Sequence, residues 1–296
     1  MTARPQPTRT LDSTGGATSV LVLAMITIQL GASIAKELLP TVGPGGATAL
    51  RTLIAATLLW AVWKPWRAPR TATWLRAVVV YGACLGAMNL SFYGALARIP
   101  LGLAVALEFI GPLGVALFAS RRAVDFAWTL AAAAGILLIV PLRTGSGVDP
   151  VGIGFALGAG LFWALYIVFG QRASNAGPSG PTAATGMAVA ALVAAPFGAR
   201  AVVAHAGEGA VWLRAFAVAV CSSALPYYLE MLALKRLPAR TFGVLMSLEP
   251  AVAAVFGFAL LHERLSPSQW TAIALIIVAA AGSALTTRAR PVPVGS

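Results

Sequence analysis

Six charged side chains of this chain stand inside long apolar stretches, and they are where chemistry is to be expected. A charge at the centre of a bilayer costs at least about 2.5 kcal/mol on insertion scales, so such a residue usually faces a cavity and has a function. A buried acid can hold an ammonium group or a proton, and a buried base can hold a carboxylate. The six residues are Lys36, Glu37, Arg51, Glu108, Glu230 and Glu249.

Glu108 lies in the middle of an apolar segment, four residues before Pro112. Proline has no N–H to donate to the carbonyl of Glu108, so the sequence predicts a weakened or kinked helix at this point. An acid beside a freed carbonyl suits an ammonium group or a proton. Glu249 stands directly before Pro250 and repeats the combination. Glu108, Glu230 and Glu249 are therefore the candidates for carrying a coupling proton.

A polar stripe runs along the first apolar segment. Gln29, Ser33 and Lys36 have i, i+4, i+7 spacing, which places them on one face of a helix. One interpretation is a pore-lining face on which Lys36 meets an anionic group of a substrate. The alternative is that Lys36 and Glu37 lie near the helix end and extend to the membrane interface.

Two further features can bind a polar solute. Tyr227 and Glu230 continue a stripe that starts at Ser223, next to a break at Pro226. Arg51 can anchor a substrate carboxylate, because a guanidinium group binds carboxylates through two parallel hydrogen bonds. It can equally pair with Glu37 or another buried acid as a structural bridge.

Four more residues complete the candidate substrate site. They can supply hydrogen bonds or aromatic walls, although ordinary packing between helices explains them as well. These residues are Asn89, Tyr93, Trp163 and Tyr166.

Composition places these residues in a membrane protein. The chain has 296 residues, of which 59% are hydrophobic and 10% are charged, whereas a soluble protein carries about 25% charged residues. The net charge of +12 does not indicate nucleic-acid binding, because the basic residues lie in small groups between apolar windows. That distribution is typical of membrane topology, with the lipid bilayer as the partner.

Ten apolar windows are long enough, or nearly so, to cross a bilayer as helices. With the N-terminus in the cytoplasm, thirteen Lys and Arg residues lie inside and five outside, so both termini are predicted to be cytoplasmic. The prediction is an all-α membrane protein with cytoplasmic tails at 1–16 and 288–296. The windows are 17–39, 45–63, 74–96, 100–119, 124–142, 150–170, 180–200, 212–234, 239–261 and 267–287.

The chain also repeats itself at an offset of 138 residues. The segment Ala95–Pro100, with the sequence ALARIP, matches Ala233–Pro238, with the sequence ALKRLP, and Pro112 then falls on Pro250. Two halves of five helices follow, at 17–142 and 150–287. Because five is odd, the halves have opposite orientations in the membrane, which is the 5+5 inverted-repeat plan of many secondary transporters.

Small residues and the remaining windows add to this picture. Gly82 and Gly86, like Gly154 and Gly158, have the spacing that lets helix backbones approach closely in lipid. The fifth and tenth windows carry few polar groups and are interpreted as scaffold in contact with lipid or with a second copy in a homodimer. The chain has no motif for a cofactor or a metal ion.

Four segments resemble the EamA-type drug/metabolite transporters, and among them the exporters of threonine and homoserine. The resemblance covers about residues 20 to 287 and implies export of amino acids from a bacterium across its cytoplasmic membrane, driven by the proton gradient. It implies a central cavity between the halves but assigns no binding residues. The segments are QLGASIAK at 29–36, LGLAVALEFIGP at 101–112, SRRAVDF at 120–126 and RTFGVLMSLEP at 240–250.

Two other functions stand beside amino-acid export. The same fold can export a drug, a nucleotide sugar or a lipid, because one fold serves many substrates. An intramembrane enzyme is disfavoured, because His205 and His262 both fall in predicted loops and no Ser–His pair lies within a membrane window.

Overall fold

The computed structural model describes residues 14–68, 71–118, 123–139, 148–226, 229 and 245–286, and every regular element in these ranges is helical. The longer helices are α1 (Thr14–Trp63), α2 (Ala72–Leu96), α3 (Leu101–Glu108), α4 (Ile110–Phe118), α5 (Ala123–Ile139), α6 (Pro150–Ala176), α7 (Ser179–Ala204), α8 (Gly209–Ala219), α9 (Glu249–Leu261) and α10 (Pro267–Thr286). A 3₁₀ turn (Pro65–Arg67) follows α1, and a π-helical turn (Val220–Ala224) continues α8.

Helix α1 is two helices joined at a glycine. Gly43 has φ 69° and ψ 169°, a backbone conformation that is essentially restricted to glycine, and Pro40 and Pro44 flank it. The break divides α1 into α1a (residues 14–42) and α1b (residues 44–63). The first two predicted windows therefore correspond to two separate arms, joined without a loop.

The predicted kink after Glu108 is confirmed. Helix α3 ends at Glu108 and α4 begins at Ile110, as expected where Pro112 cannot donate to the Glu108 carbonyl. The backbone of α6 approaches closely here, because a Cβ at Gly160 would lie 2.7 Å from the carbonyl oxygen of Glu108. The break therefore lies deep inside the bundle, against another helix.

Small residues set the distance between α2 and α7. A Cβ at Gly82 would lie 2.5 Å from the carbonyl oxygen of Gly186, and one at Gly86 would lie 2.9 Å from the Cβ of Val193. The predicted role of this glycine pair is confirmed. The same prediction for Gly154 is wrong, because no described atom lies within 4 Å of a Cβ placed there.

The remaining contacts join particular pairs of helices. Helix α1b packs along α7, α3 packs on α9, and α5 packs on α10. Helix α1 packs on α8, its α1a arm contacts the π-helical turn where Gly31 meets Ser222, and α2 packs along α6. The largest group of buried apolar side chains lies where α1, α2, α3, α8 and α9 meet.

Within the described ranges, four helical segments are long and apolar enough to cross a membrane, the first of them comprising both arms of α1: Gly16–Trp63, Ala72–Leu96, Pro150–Ala176 and Gly180–Ala204. Shorter apolar helices accompany them, among them Leu101–Val115 and Glu249–Leu261. Large apolar side chains such as Leu130, Leu192 and Val203 are 68–75% exposed on the outside of the bundle. An apolar exterior of this kind suits lipid as the surrounding solvent. The chain is a multi-helix membrane protein.

Candidate functional site

A cavity lies in the interior of the bundle and leaves about 170 Å³ of space for the centres of water molecules. It brings together polar residues that are far apart in the sequence. The lining residues are Ile28, Gln29, Ala32, Arg51, Met88, Asn89, Phe92, Tyr93, Val105, Glu108, Trp163, Tyr166, Ser222, Pro226, Met246 and Glu249.

Arg51 of α1b supplies the cation of the cavity. Its Nη1 donates to Asn89 Oδ1 at 2.5 Å and to Tyr93 Oη at 3.4 Å, both on α2. Its Nε donates to Ser223 Oγ at 3.2 Å, and its Nη2 donates to the Ser222 carbonyl at 3.0 Å. These contacts use four of the five N–H groups of the guanidinium. The guanidinium is held in place, and its fifth N–H has no hydrogen-bond partner among the described residues.

The π-helical turn presents the Ser222 carbonyl to Arg51. In this turn the N–H of Leu225 donates to the carbonyl of Val220, five residues back. A π-helical turn displaces backbone groups from the regular ladder, and such turns are frequent at functional sites. The turn ends two residues before Pro226, which lines the cavity. Local irregularity in α8 thus positions two of the four partners of Arg51.

The neighbouring Asn89 is itself held in place. Its Nδ2 donates to the Leu85 carbonyl one helical turn earlier at 2.8 Å, which directs its Oδ1 toward Arg51. Tyr93 stands one turn later on α2, and its ring lies 5.7 Å from the Arg51 guanidinium carbon. Helix α2 therefore supplies a preformed acceptor and an aromatic face for the same cation.

Two carboxylates supply the opposite charge. Glu108, 7% exposed, is the last residue of α3, and Glu249, 5% exposed, is the first residue of α9. Gln29 Nε2 donates to Glu249 Oε1 at 3.2 Å. Both acids line the cavity together with Arg51. The cavity therefore offers acidic side chains to a cation and a guanidinium group to an anion.

Aromatic side chains form one wall of the cavity. Trp163 of α6 packs edge-to-face against Phe109 with ring centroids 5.6 Å apart. Tyr166, one turn later, packs against Tyr81 of α2 at 5.0 Å. The T-shaped contact is one of the two arrangements that aromatic pairs prefer. The site thus combines charged groups with an aromatic wall.

Three of the remaining candidates lie elsewhere. Ser33 is buried behind the cavity, where its Oγ donates to the Gln29 carbonyl at 2.8 Å. Lys36 lies at one end of the bundle, paired with Glu263, and does not line the central cavity. Glu37 is exposed, and each described hydrogen bond of Arg51 goes to a neutral oxygen, so the Arg51–Glu37 bridge does not form.

Two of the candidates, Tyr227 and Glu230, lie outside the described residues. Sequence reasoning did not single out Ser222, although it is adjacent to the polar stripe that begins at Ser223. It also left out Glu263, which follows the last residues of α9 and carries no pattern of its own. Apolar lining residues such as Met88 and Met246 have no signal in the sequence that separates them from ordinary packing.

Comparison with known proteins identifies similar proteins over most of the chain. The model of the EamA-like transporter family matches residues 150–285. The threonine/homoserine exporter RhtA of Escherichia coli (strain K12) is 50% identical over 276 residues, covering 91% of each chain. The protein of the same name from Salmonella typhimurium (strain LT2) is 49% identical over 279 residues, covering 92% of each chain.

A solved crystal structure shows the same fold. It is 22% identical to this chain, covers 92% of it and 98% of its own length, and superposes with a TM-score of 0.59. The family model and the relatives, which match over nine-tenths of their length, show that the chain is a transporter and not an enzyme. The chain belongs to the EamA-like transporter family.

Proposed function

We propose that this protein exports small neutral amino acids, of which threonine and homoserine are the first candidates. The observation that carries the proposal is that one buried cavity holds a fixed guanidinium and two carboxylates. A zwitterion needs both charges compensated when it leaves water, because an uncompensated buried charge is costly. The relatives named as threonine/homoserine exporters span nine-tenths of this chain and support the same cargo.

The substrate carboxylate would bind at Arg51. Within the part of the chain that the structure describes, one N–H of the guanidinium has no partner, and the Tyr93 contact at 3.4 Å is the longest of the four hydrogen bonds. A carboxylate that displaces Tyr93 would gain a second N–H and the two-point contact that guanidinium favours. Asn89, Ser222 and Ser223 would then keep Arg51 in position.

The substrate ammonium would bind between Glu108 and Glu249. Gln29 holds Glu249 at the cavity and would add an amide oxygen. Trp163 and Tyr166 would contact the substrate side chain. Tyr227 and Glu230 remain sequence-based candidates for substrate binding. Ser33 and Lys36 do not line the cavity, so they would affect binding only through the position of α1a.

Export would be secondary active and coupled to protons. An acid that alternately binds a proton and a substrate ammonium exchanges one for the other, because both compete for the same carboxylate. Glu108, Glu249 and Glu230 are the candidates. Glu108 fits best, because it stands at the carbonyl end of α3, where the helix dipole adds to its need for a positive partner.

The fold we propose has ten membrane-spanning helices in two inverted halves, residues 17–142 and 150–287, with both termini in the cytoplasm of a bacterium. The helix pairs support it. Exchanging the halves maps the α1b–α7, α3–α9 and α5–α10 contacts onto themselves. It also maps the contact of α1a with the π-helical turn that continues α8 onto the α6–α2 contact. A two-fold axis in the membrane plane would give this pattern.

A binding screen on the purified protein tests the cargo. Ligands that bind only the folded state raise its unfolding temperature. We expect threonine and homoserine to raise it and a hydrophobic cation such as tetraphenylphosphonium to leave it unchanged. In Arg51→Gln the amino-acid effect should disappear. A response to the cation alone would move the assignment to drug export within the same fold.

A further inference from the structure

An ion pair closes one end of the seam between the two halves. Lys36 Nζ of α1a lies 2.5 Å from Glu263 Oε1 and donates to the Ile99 carbonyl at 2.8 Å. The other oxygen of Glu263 accepts from the N–H of Leu101, the first residue of α3, at 2.9 Å. The two charged side chains are 23% and 12% exposed. One carboxylate from the second half thus fastens two segments of the first half.

The chain is shaped to bring Glu263 to this position. Helix α9 ends at Leu261, and His262 takes a left-handed conformation with φ 54°, which is uncommon for a residue with a side chain. The N–H of Glu263 donates back to the Gly257 carbonyl at 3.0 Å. The Glu263 carboxylate then occupies the space that a Cβ at Gly257 would need. The turn folds the acid back over its own helix toward α1a.

The same two helices are also joined beside the cavity. Gln29 and Lys36 share one face of α1a, and their partners Glu249 and Glu263 stand at the two ends of α9. Seven residues of helix span about 10 Å, so the two contacts lie at different depths of the bundle. The α1a–α9 seam is therefore held once at the cavity and once at the end of the bundle.

We propose that Lys36 and Glu263 form the outer gate of the transport cycle: their ion pair holds the α1a–α9 seam shut and separates to release substrate outside. The assignment of this end to the outside rests on the topology proposed above. Ile99 and Glu263 lie in the connections that follow α2 and α9, which that topology places outside. Neither residue needs to touch the substrate, so both act by positioning the helices.

The charge of Glu263 can be removed while most of its contacts remain. Glutamine in its place keeps an oxygen for the Leu101 N–H, so the start of α3 stays satisfied. Lys36→Met removes the other charge from the opposite side of the pair. Glu37→Gln is the matched control. Glu37 borders the surface pocket that Lys36 and Glu263 also line, is exposed, and has no partner among the described residues.

A cysteine in the cavity reports which side is open. Cys84 and Cys221, the two native cysteines, are first changed to Ala, and Ile28→Cys then places a thiol in the cavity wall. Reaction with a membrane-impermeant maleimide is measured from outside in intact cells and from the cytoplasmic side in inverted vesicles. The labelling rate follows the population that is open to that side.

We expect Glu263→Gln and Lys36→Met each to raise labelling from outside at least about fivefold, the lower end of typical coupling between sites. Labelling from the cytoplasmic side should fall in the same variants. Glu37→Gln should change neither rate by more than about twofold, as for an exposed charge. The double reversal Lys36→Glu with Glu263→Lys should bring both labelling rates part of the way back to their wild-type values.

Three results would overturn the proposal. Unchanged labelling in both single variants would show that the pair does not control access. Increased labelling from both sides would show a loosened fold, so that the pair is only structural. The test needs no substrate, so it stands even if the protein transports no amino acid. An increase from the cytoplasmic side alone would instead contradict the proposed topology.

Discussion

At the scale of single residues, the candidate site residues could be chosen because they are rare. Charges in apolar windows are few, so Arg51, Glu108 and Glu249 could be chosen from the sequence alone, and the structure places all three around one cavity. Their partners could not be predicted. Arg51 binds Asn89 and Ser223, which lie 38 and 172 residues away, and only the packing of three helices brings them together.

Spacing alone also grouped residues that the structure separates. Gln29 and Lys36 share a face of α1a, as predicted, yet only Gln29 lines the cavity. The reason is length, since seven residues along a helix carry Lys36 about 10 Å toward the end of the bundle. Residues on one face of a membrane-spanning helix lie at different depths, so they contact different partners.

The acid at the end of α3 gives the residue-scale prediction. Glu108→Gln should lower gradient-driven amino-acid flux at least about tenfold, which corresponds to about 1.4 kcal/mol. The amide keeps the size of the side chain but can neither carry a proton nor balance an ammonium group. Flux into proteoliposomes, with unfolding temperature as a check on folding, measures the effect.

The matched variant for this prediction is Glu208→Gln. Glu208 is an exposed acid before α8, far from the cavity lining, and its 4.0 Å contact with His205 is at the surface. Its flux should equal that of the wild type. A Glu108→Gln protein that transports at the wild-type rate would remove Glu108 from both substrate binding and coupling.

At the scale of helices, breaks were more predictable than contacts. Pro112 predicted a break in the helix because proline removes a specific backbone hydrogen bond. Helix α3 ends at Glu108, as expected. The glycine spacing correctly predicted close packing of helix backbones at Gly82 but not at Gly154. Spacing shows that two small residues share a face, and nothing in it shows whether that face meets another helix.

The glycine contrast gives the prediction at this scale. Gly82→Ala should destabilise the protein by about 1–3 kcal/mol, because a Cβ there would lie 2.5 Å from a backbone carbonyl of α7. Gly154→Ala should be neutral or stabilise by up to about 1 kcal/mol, because alanine favours the helix and the added Cβ has open space. Thermal unfolding in detergent compares the two. Equal effects of both changes would show that α2 and α7 do not pack as described.

At the scale of the whole molecule, the class of protein could be predicted from the sequence, which also contains an internal repeat. Hydropathy and the distribution of basic residues follow directly from the requirements of a bilayer, so helix positions and a preferred orientation could be predicted. The arrangement of helices could not, because α2 packs along α6 and α1b along α7 through contacts more than fifty residues apart. The cavity exists only once those pairs are formed.

We propose that the protein moves an amino acid through this cavity, against the concentration gradient of the amino acid and in exchange for protons. Purified protein in liposomes with an acidic lumen should accumulate labelled threonine or homoserine. With equal pH on both sides it should only equilibrate them, and Glu108→Gln liposomes should show neither behaviour. If the folded wild-type protein moves neither amino acid under either condition, the account of an amino-acid exporter is contradicted.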